Sequence, residues 1–241
     1  MHKIYLSFIV AFLTIIAGCT LDDQTTPLND NIELINIINL SSFLSEPSGI
    51  TFNPQSNTLF VVSDTINTIY EVNLSGELIN SFPVYAEDLE GICFSAKYDT
   101  FYVVEEKKKL ITSFDLNGSK LFSFSVDVAT SDNSALEGIT INKLSNTLYI
   151  INEKDPRMIL AYAGSTELWR KMIDYTSDIS DIYFEEPENC FWVISDESSR
   201  ILKLNINAAL INQWEIPFTK GEGITVVNDK LYVVNDSNAK M

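Results

Sequence analysis

Histidine is almost absent from this sequence, since the only one, His2, is the second residue of the chain. It lies in a segment with the features of a removable leader, so the folded part is expected to contain no imidazole. This absence excludes a serine–histidine–aspartate triad, a histidine general base and histidine metal ligands there.

Basic residues are also scarce. The chain has 16 Lys and Arg against 33 Asp and Glu, which gives a formal net charge of −17 at pH 7. An acidic surface of this kind repels nucleic acid and anionic lipid headgroups. It favours cations as ligands, or serves only to keep the protein dispersed.

Long hydrophobic runs are limited to one, residues 4–16, which follows Lys3. It has the length of a signal-peptide core and is short for a membrane span of ~20 residues. It leads into Ile16-Ala17-Gly18-Cys19, which resembles the lipobox of bacterial lipoproteins. The resemblance implies a signal peptide at residues 1–18, cleavage before Cys19, and acyl chains such as palmitate on that cysteine.

Two other interpretations of the N-terminus stay open: an ordinary transmembrane anchor, or an ordinary signal peptide with a chance cysteine. Several acyl chains on Cys19 would anchor the protein stably. Residues 19–31 are then the lipidated cysteine and a polar, flexible tether. The expected location is the bacterial cell envelope, on a membrane that faces the periplasm or at the cell surface.

One pattern recurs along the rest of the chain: a Gly or Asp, then Ile, a β-rich segment, a turn and a strongly apolar strand. The first position is occupied by Gly49, Gly91, Gly138, Asp181 and Gly223, at separations of 42, 47, 43 and 42 residues. A period of about 40–45 residues made of short strands is typical of propeller blades. The sequence predicts an all-β β-propeller of five four-stranded blades, with six as the alternative.

The apolar strand of each unit, strand b, has no polar alternation. Its five copies read TLFVVSD, TFYVVEE, TLYIINE, CFWVISD and KLYVVND. Such strands are typically buried on both faces, as the middle strands of propeller blades are. Cys93 and Cys190 fall in non-neighbouring units, which favours two buried free thiols over a disulfide.

The two ends of the propeller domain, residues 32–241, complement each other. Residues 33–36 repeat the Glu-Leu-Ile-Asn that opens the outer strand of the first unit. Residues 33–40 are therefore predicted to be the outer strand of the last blade and to close the ring. The last unit stops at the start of its third strand, so we expect an incomplete blade and a truncated chain, with a gap that the outer strand cannot bridge.

Three segments carry a family resemblance: EPSGITFNPQSNTLFVVSD, DLEGICFSAKYDTFYVVEE and ALEGITINKLSNTLYIINE. Their Leu-Glu-Gly-Ile steps, each followed by a strand with an acidic end, resemble the SdiA-regulated family of bacterial envelope propellers. The resemblance covers residues 32–241. It implies a β-propeller related in shape to the gluconolactonases and brings no established activity with it.

Two columns of the repeat are acidic. The residue before the Gly or Asp is Ser48, Glu90, Glu137, Ser180 or Glu222, and strand b ends in Asp64, Glu106, Glu153, Asp196 or Asp236. Because strands a and b are antiparallel neighbours, these eight carboxylates should gather at one mouth of the central channel. Glu90, Glu137 and Glu222 are the candidate ligands of a divalent cation such as Ca²⁺, and the five strand-end acids would surround it or bind a ligand. The alternative is a set of carboxylates that only cap their own turns.

Two functions from different classes remain. The first is a membrane-anchored envelope lipoprotein whose propeller is a binding or scaffold module for a protein or small molecule, with calcium at the channel mouth. The alternative is a divalent-metal-dependent hydrolase resembling gluconolactonase or phytase-like propellers. No nucleophile motif stands out, which favours the first.

Overall fold

The computed structural model describes residues 32–40, 43–129 and 135–236, and the backbone of three short strands that precede them. Every regular element in these parts is a β-strand. The first four strands are β1 (His2–Lys3), β2 (Tyr5–Ser7), β3 (Thr14–Ile15) and β4 (Ile37–Ile38). Over the described residues, no helix has the length and apolar character that a membrane crossing requires.

Four blades are each formed by four consecutive antiparallel strands. The first contains β5 (Pro47–Asn53), β6 (Thr58–Ser63), β7 (Ile66–Val72) and β8 (Leu78–Pro83). The second contains β9 (Leu89–Ser95), β10 (Thr100–Glu105), β11 (Leu110–Asp115) and β12 (Lys120–Ser125). The third contains β13 (Leu136–Asn142), β14 (Thr147–Asn152), β15 (Met158–Ala163) and β16 (Thr166–Met172). The fourth contains β17 (Asp181–Glu185), β18 (Cys190–Ser195), β19 (Arg200–Asn205) and β20 (Leu210–Glu215).

A fifth four-stranded sheet joins both ends of the chain. It contains β21 (Gly221–Val227) and β22 (Lys230–Asn235), followed by β2 and then β4. The position of β4 agrees with the predicted outer strand. The predicted gap is wrong, because β2 lies in it and pairs in parallel with both β22 and β4. The free amides and carbonyls at the edge of β22 explain why an extended segment adds there.

The innermost strands form a closed ring, since β5, β9, β13, β17 and β21 contact one another in that order and β21 contacts β5. The prediction of an all-β propeller is therefore confirmed. Four blades have the expected continuous form. The fifth sheet departs from it because it is composite and partly parallel. The alternative of six blades does not match this ring of described strands.

Several predictions about the ends fall outside the described residues. Cys19 and most of the segments assigned to the signal peptide and the tether are among them, as are residues 240–241. The signal peptide, the lipidation and the truncated end therefore stay predictions. The β2 segment, residues 5–7, belongs to the part of the chain assigned to the signal peptide.

Apolar clusters between neighbouring blades form the core. Phe60 in the first blade meets Phe101 in the second edge to face, with ring centroids 4.6 Å apart. Trp192, which is fully buried, stacks on Trp214 at 5.4 Å. Cys93 and Cys190 are both buried and free, which confirms the prediction of two unpaired thiols.

Glycines allow the innermost strands to meet at the axis. A Cβ atom on Gly49 would lie 2.6 Å from the carbonyl oxygen of Glu90, and one on Gly91 would lie 2.8 Å from the Cα of Gly138. A Cβ on Gly223 would lie 3.0 Å from the Cα of Gly49. The neighbours are mostly backbone atoms, which cannot rotate away. The repeated glycine therefore sets how tightly the ring closes.

Replacement of Gly91 by Ala tests this closure. We expect Gly91→Ala to lower the free energy of unfolding by about 3 kcal/mol or more, the upper end of overpacking effects. Gly164→Ala is the control: its Cβ would meet no atom of the described residues within 4 Å, and its φ of +58° opposes the change, for about 1 kcal/mol. Urea unfolding measures both. Equal effects of the two substitutions would contradict a sterically closed ring.

Candidate functional site

A β-bulge places the residue that precedes the ring glycine. The register between strands a and b skips at this point in four sheets, at Ser48, Glu90, Glu137 and Glu222. A bulge leaves a residue out of the ladder and redirects its side chain. It thereby turns these side chains towards the mouth of the channel rather than into a blade interface.

The channel mouth is an acidic cup of about 290 Å³. All eight carboxylates of the two predicted columns line it, so the structure brings them together as expected. In total, eleven carboxylates and two lysines line the cup. The sequence prediction of a carboxylate mouth is therefore correct in its position, while the added groups come from neighbouring loops.

One side of the cup, at the fourth and fifth blades, has its charges satisfied. Asp178 is buried and accepts hydrogen bonds from the hydroxyl of Ser195 and from the amides of Asp196 and Glu197, the latter two at 3.2 and 3.3 Å. The ammonium group of Lys220 lies 3.4 Å from Asp196. This side resembles an ordinary turn network.

The other side, at the second and third blades, contains carboxylates without partners. Among the described residues, the carboxylates of Glu90 and Glu137 have no hydrogen bond and no ion pair. Both are half-buried and line the cup. In addition, Oδ1 of Asp64 is buried without a hydrogen-bond partner. Carboxylates that are partly removed from water beside other acids favour a proton or a nearby cation.

Burial and the neighbouring carboxylates also shift the pKa values of the acids in the cup. Burial raises the pKa of Glu90 and of Glu137 well above the ordinary range, and the neighbouring carboxylates raise both further. Burial raises the pKa of Glu222 to about 8, with Asp196 adding to the effect. Burial also raises the pKa of Glu106 to about 7, although a hydrogen bond from the Ala135 amide opposes it. A bound cation would favour the ionised form of all four groups.

Two groups of three carboxylates, in the cup or directly beside it, have oxygen atoms within 4.8 Å of one another. One consists of Asp88, Glu90 and Glu106, and the other of Glu106, Glu137 and Glu153. Glu90 and Glu137 are thus each placed in a group that could hold a metal ion. Glu222, the third predicted ligand, instead lies 3.8 Å from Lys220. Glu106, predicted as a surrounding residue, is shared by both groups.

A third group, Glu185, Glu188 and Cys190, lies away from the cup. Lys203 already forms an ion pair with Glu188, and its ammonium group lies 3.9 Å from Glu185. The indole of Trp192 donates a hydrogen bond of 2.8 Å to Glu185. Because the chain's own groups satisfy these carboxylates, they do not resemble the partnerless pair in the cup.

Asp181 takes the place of glycine in the ring, and it is buried. Its Oδ2 accepts a hydrogen bond of 2.8 Å from the amide of Ile224, which belongs to the next blade. Burial raises the pKa of this carboxyl group well above its ordinary range, while the nearby amides of Ile224, Ile182 and Ile139 lower it. Asp181 therefore links the fourth blade to the fifth at the axis, while its Oδ1 is buried without a hydrogen-bond partner. It is a structural residue and does not line the cup.

Sequence reasoning missed a third polar column. It lies two residues before the bulge position and contains Glu46, Asp88, Asp178 and Lys220, with Ala135 as the exception. Asp88 is one of the possible metal ligands, Asp178 is the buried carboxylate, and Lys220 is a lysine of the cup. An alignment extended two residues upstream would have found them, since the column is visible in the repeat.

The fold and the site define the class of this protein: a β-propeller with a closed axis and an acidic cup at one channel mouth. Residues 34–239 match the SdiA-regulated family, and the chain belongs to that family. A comparison with curated proteins finds no match.

Several solved structures are similar in fold. A nidogen/laminin complex matches with a TM-score of 0.54 at 12% identity, over 89% of this chain and 80% of that one. Streptogramin B lyase matches with a TM-score of 0.54 at 18% identity, over 79% and 62%. Hydrazine synthase of Kuenenia stuttgartiensis matches with a TM-score of 0.53 at 14% identity, over 76% and 52%. The chain thus spans about half to four fifths of these structures, and the likeness shows the fold alone.

Asp181 provides a test of the axial hydrogen bond. Asp181→Ala keeps the Cβ atom, so it adds no clash, but it leaves the buried amide of Ile224 without its acceptor. We expect a loss of about 1–3 kcal/mol in the free energy of unfolding. Asp181→Asn retains an acceptor oxygen and should lose less. If urea unfolding shows Asp181→Ala to be as stable as the wild type, the link across the axis is unimportant.

Proposed function

We propose that this protein is a lipid-anchored lipoprotein of the bacterial cell envelope whose propeller is a binding or scaffold module, with a divalent cation in the acidic cup. The observation that carries the proposal is a pair of half-buried carboxylates, Glu90 and Glu137, that have no partner among the described residues. The possible ligand atoms beside them are carboxylate oxygens, and oxygen ligands are the ones that Ca²⁺ and Mg²⁺ prefer. Ca²⁺ tolerates irregular ligand geometry better than Mg²⁺, so calcium is the proposed ion.

The anchor is proposed from the sequence, through the lipid on Cys19. A polar tether would hold the propeller away from the membrane, on its periplasmic or outer side. The net charge of −17 argues against nucleic acid as a partner and against direct contact with anionic lipid. The partner is then a protein or a small molecule that meets the cation-loaded cup.

A metal-dependent hydrolase is the second candidate, and one observation favours it. The pKa of Glu106 is raised to about 7, a value suited to a general base at neutral pH. Streptogramin B lyase, whose solved structure is similar in fold, is an enzyme by its name. This candidate requires calcium-dependent turnover of a lactone or phosphate ester that Glu106→Gln abolishes, which a scaffold does not require.

Calcium should stabilise the folded protein. Binding to the folded state alone adds about 2.7 kcal/mol at a hundredfold excess over Kd, which corresponds to roughly 5–10 °C in the melting temperature of a domain this size. Glu137→Gln should lose most of this rise and should be at least as stable as the wild type without calcium, because repulsion is relieved. Differential scanning calorimetry measures both.

The control for this experiment is Glu215→Gln, which removes an exposed carboxylate on the fourth blade, with 85% of its side-chain surface accessible. It should keep the calcium-induced rise. An unchanged wild-type melting temperature in millimolar Ca²⁺, together with a neutral or destabilising Glu137→Gln, would contradict the cation site. The carboxylates of the cup would then only form a turn network.

Lipid anchoring is tested by Cys19→Ser. Without the thiol no diacylglycerol can be attached, so the variant should leave the membrane fraction or remain unprocessed. Metabolic labelling with a palmitate analogue and cell fractionation measure the outcome. Cys93→Ala, which removes a buried thiol, should still be labelled and anchored. Continued labelling of Cys19→Ser with unchanged fractionation would refute the lipobox.

A further inference from the structure

The fifth sheet contains a strand position that differs from its equivalents in the other blades. There, β2 occupies the place of a third strand, between β22 and β4. It pairs with β22 in parallel over three residues, whereas the third strands of the second, third and fourth blades pair with strand b antiparallel over six. Its neighbour β4 has only two residues, both paired with β2. β2 is therefore a short substitute for a regular third strand.

The four regular blades show which residues the third-strand position selects. In each third strand a buried isoleucine is followed, three residues later, by a buried apolar or aromatic residue. The pairs are Ile69 and Val72, Ile111 and Phe114, Ile159 and Tyr162, and Ile201 and Leu204. In the second, third and fourth blades the isoleucine pairs with the last-but-one residue of strand b, and the later residue pairs with the second. A regular third strand is thus recognised at two apolar positions.

β2 does not fulfil this pattern. The equivalent places on β22 are Val234 and Leu231, the last-but-one and the second residue of that strand. Val234 is paired with Ser7 rather than with an isoleucine, and the pairing with β2 ends at Tyr232, one residue before Leu231. A cavity of about 330 Å³ lies at this end of β22, and both Tyr232 and Ile38 of β4 line it. The position therefore has room for a longer strand than β2.

We propose that the position between β22 and β4 is an acceptor site for an extended segment of another protein. The segment runs antiparallel to β22 and places an isoleucine opposite Val234 and an apolar or aromatic residue opposite Leu231. In strand addition of this kind, main-chain hydrogen bonds give affinity, and pockets for particular side chains give specificity. The inference rests on the proposed removal of the signal peptide, because β2 belongs to residues 1–18.

A partner protein is the proposed donor because the described part of the chain has no strand to spare. Each of its strands already has a place in a sheet. A second copy of the chain could fill the position only by giving up one of these strands, which would open a sheet of its own. A segment that is extended and unpaired in its own protein has no such cost.

The probe is a peptide with the sequence of β19, Arg200–Asn205, which carries both apolar positions. In the full chain, Leu6→Pro opens the acceptor site without processing, because Leu6 pairs with both β22 and β4 and proline has no amide to donate. Fluorescence anisotropy should show that the labelled peptide binds Leu6→Pro and the processed protein in detergent, and binds the unprocessed wild type about tenfold or more weakly. Hydrogen exchange should slow at residues 230–235 and stay unchanged at residues 58–63 of the first blade.

The control peptide has serine in place of the isoleucine and keeps both positive charges, so it measures attraction to the acidic protein alone. It should bind about tenfold or more weakly, because the burial of an isoleucine side chain is lost. Equal binding of the two peptides overturns the proposal, and so does binding without slower exchange at residues 230–235. If Leu6→Pro does not fold by circular dichroism, the processed protein decides.

Two further outcomes separate this inference from the lipoprotein proposal. Retention of residues 1–18, seen in the mass of the protein isolated from cells, contradicts the lipoprotein proposal, and peptide binding to Leu6→Pro then decides the acceptor site. If residues 230–235 of the processed protein exchange as slowly without peptide as those of the unprocessed chain, the chain or a second copy fills the position. That result overturns the acceptor site and leaves the lipid anchor in place.

Discussion

The close approach of five strands at one axis is the constraint on which the rest of this structure depends. At the ring positions occupied by Gly49, Gly91 and Gly223, a Cβ atom would come within about 3 Å of the neighbouring blade. Strands this close leave no room for an open channel at that level, so the cup has a floor. They also leave no room for the residue before each ring position to stay in register with the neighbouring strand, so a β-bulge forms there. The bulge and the carboxylates that it turns into the cup are thus consequences of the same packing that closes the ring.

Asp181 shows how the ring tolerates an exception. Its carboxylate accepts a hydrogen bond from the amide of Ile224 in the next blade. The ring residue that is larger than glycine therefore also links two blades at the axis. Its own blade and the fifth are also the ones whose cup charges are satisfied, by the network of Asp178 and by Lys220. The cup of the five-fold repeat therefore has two chemically different sides. On one side hydrogen bonds and a lysine compensate the negative charges, and on the other some carboxylates have no such partner among the described residues.

The repeat made most of this fold predictable. Each blade needs a small residue at the axis and a strand that is buried on both faces, and the Gly-Ile step and the apolar b strand meet these two needs. The two acidic columns were predictable for the same reason. The central position of Glu106 was not, since it depends on which side chains a bulge redirects and on lysines that pair across loops, such as Lys220 beside Glu222. Nor was the strand formed by residues 5–7, because an unpaired sheet edge accepts an extended segment from any part of the chain, and local sequence does not mark the segment.

A turn network is the simplest explanation for acids at strand ends. The cup contains one such network, around Asp178, with which the other carboxylates can be compared. Asp178 lies in the cup and accepts hydrogen bonds from two amides and two hydroxyls. Glu90 and Glu137, at the bulges of the second and third blades, accept none among the described residues. If carboxylates at this mouth served only to satisfy backbone amides, these two would have amides to satisfy. Their partial burial beside other acids carries a cost in desolvation and repulsion, and a ligand with positive charge would lower that cost.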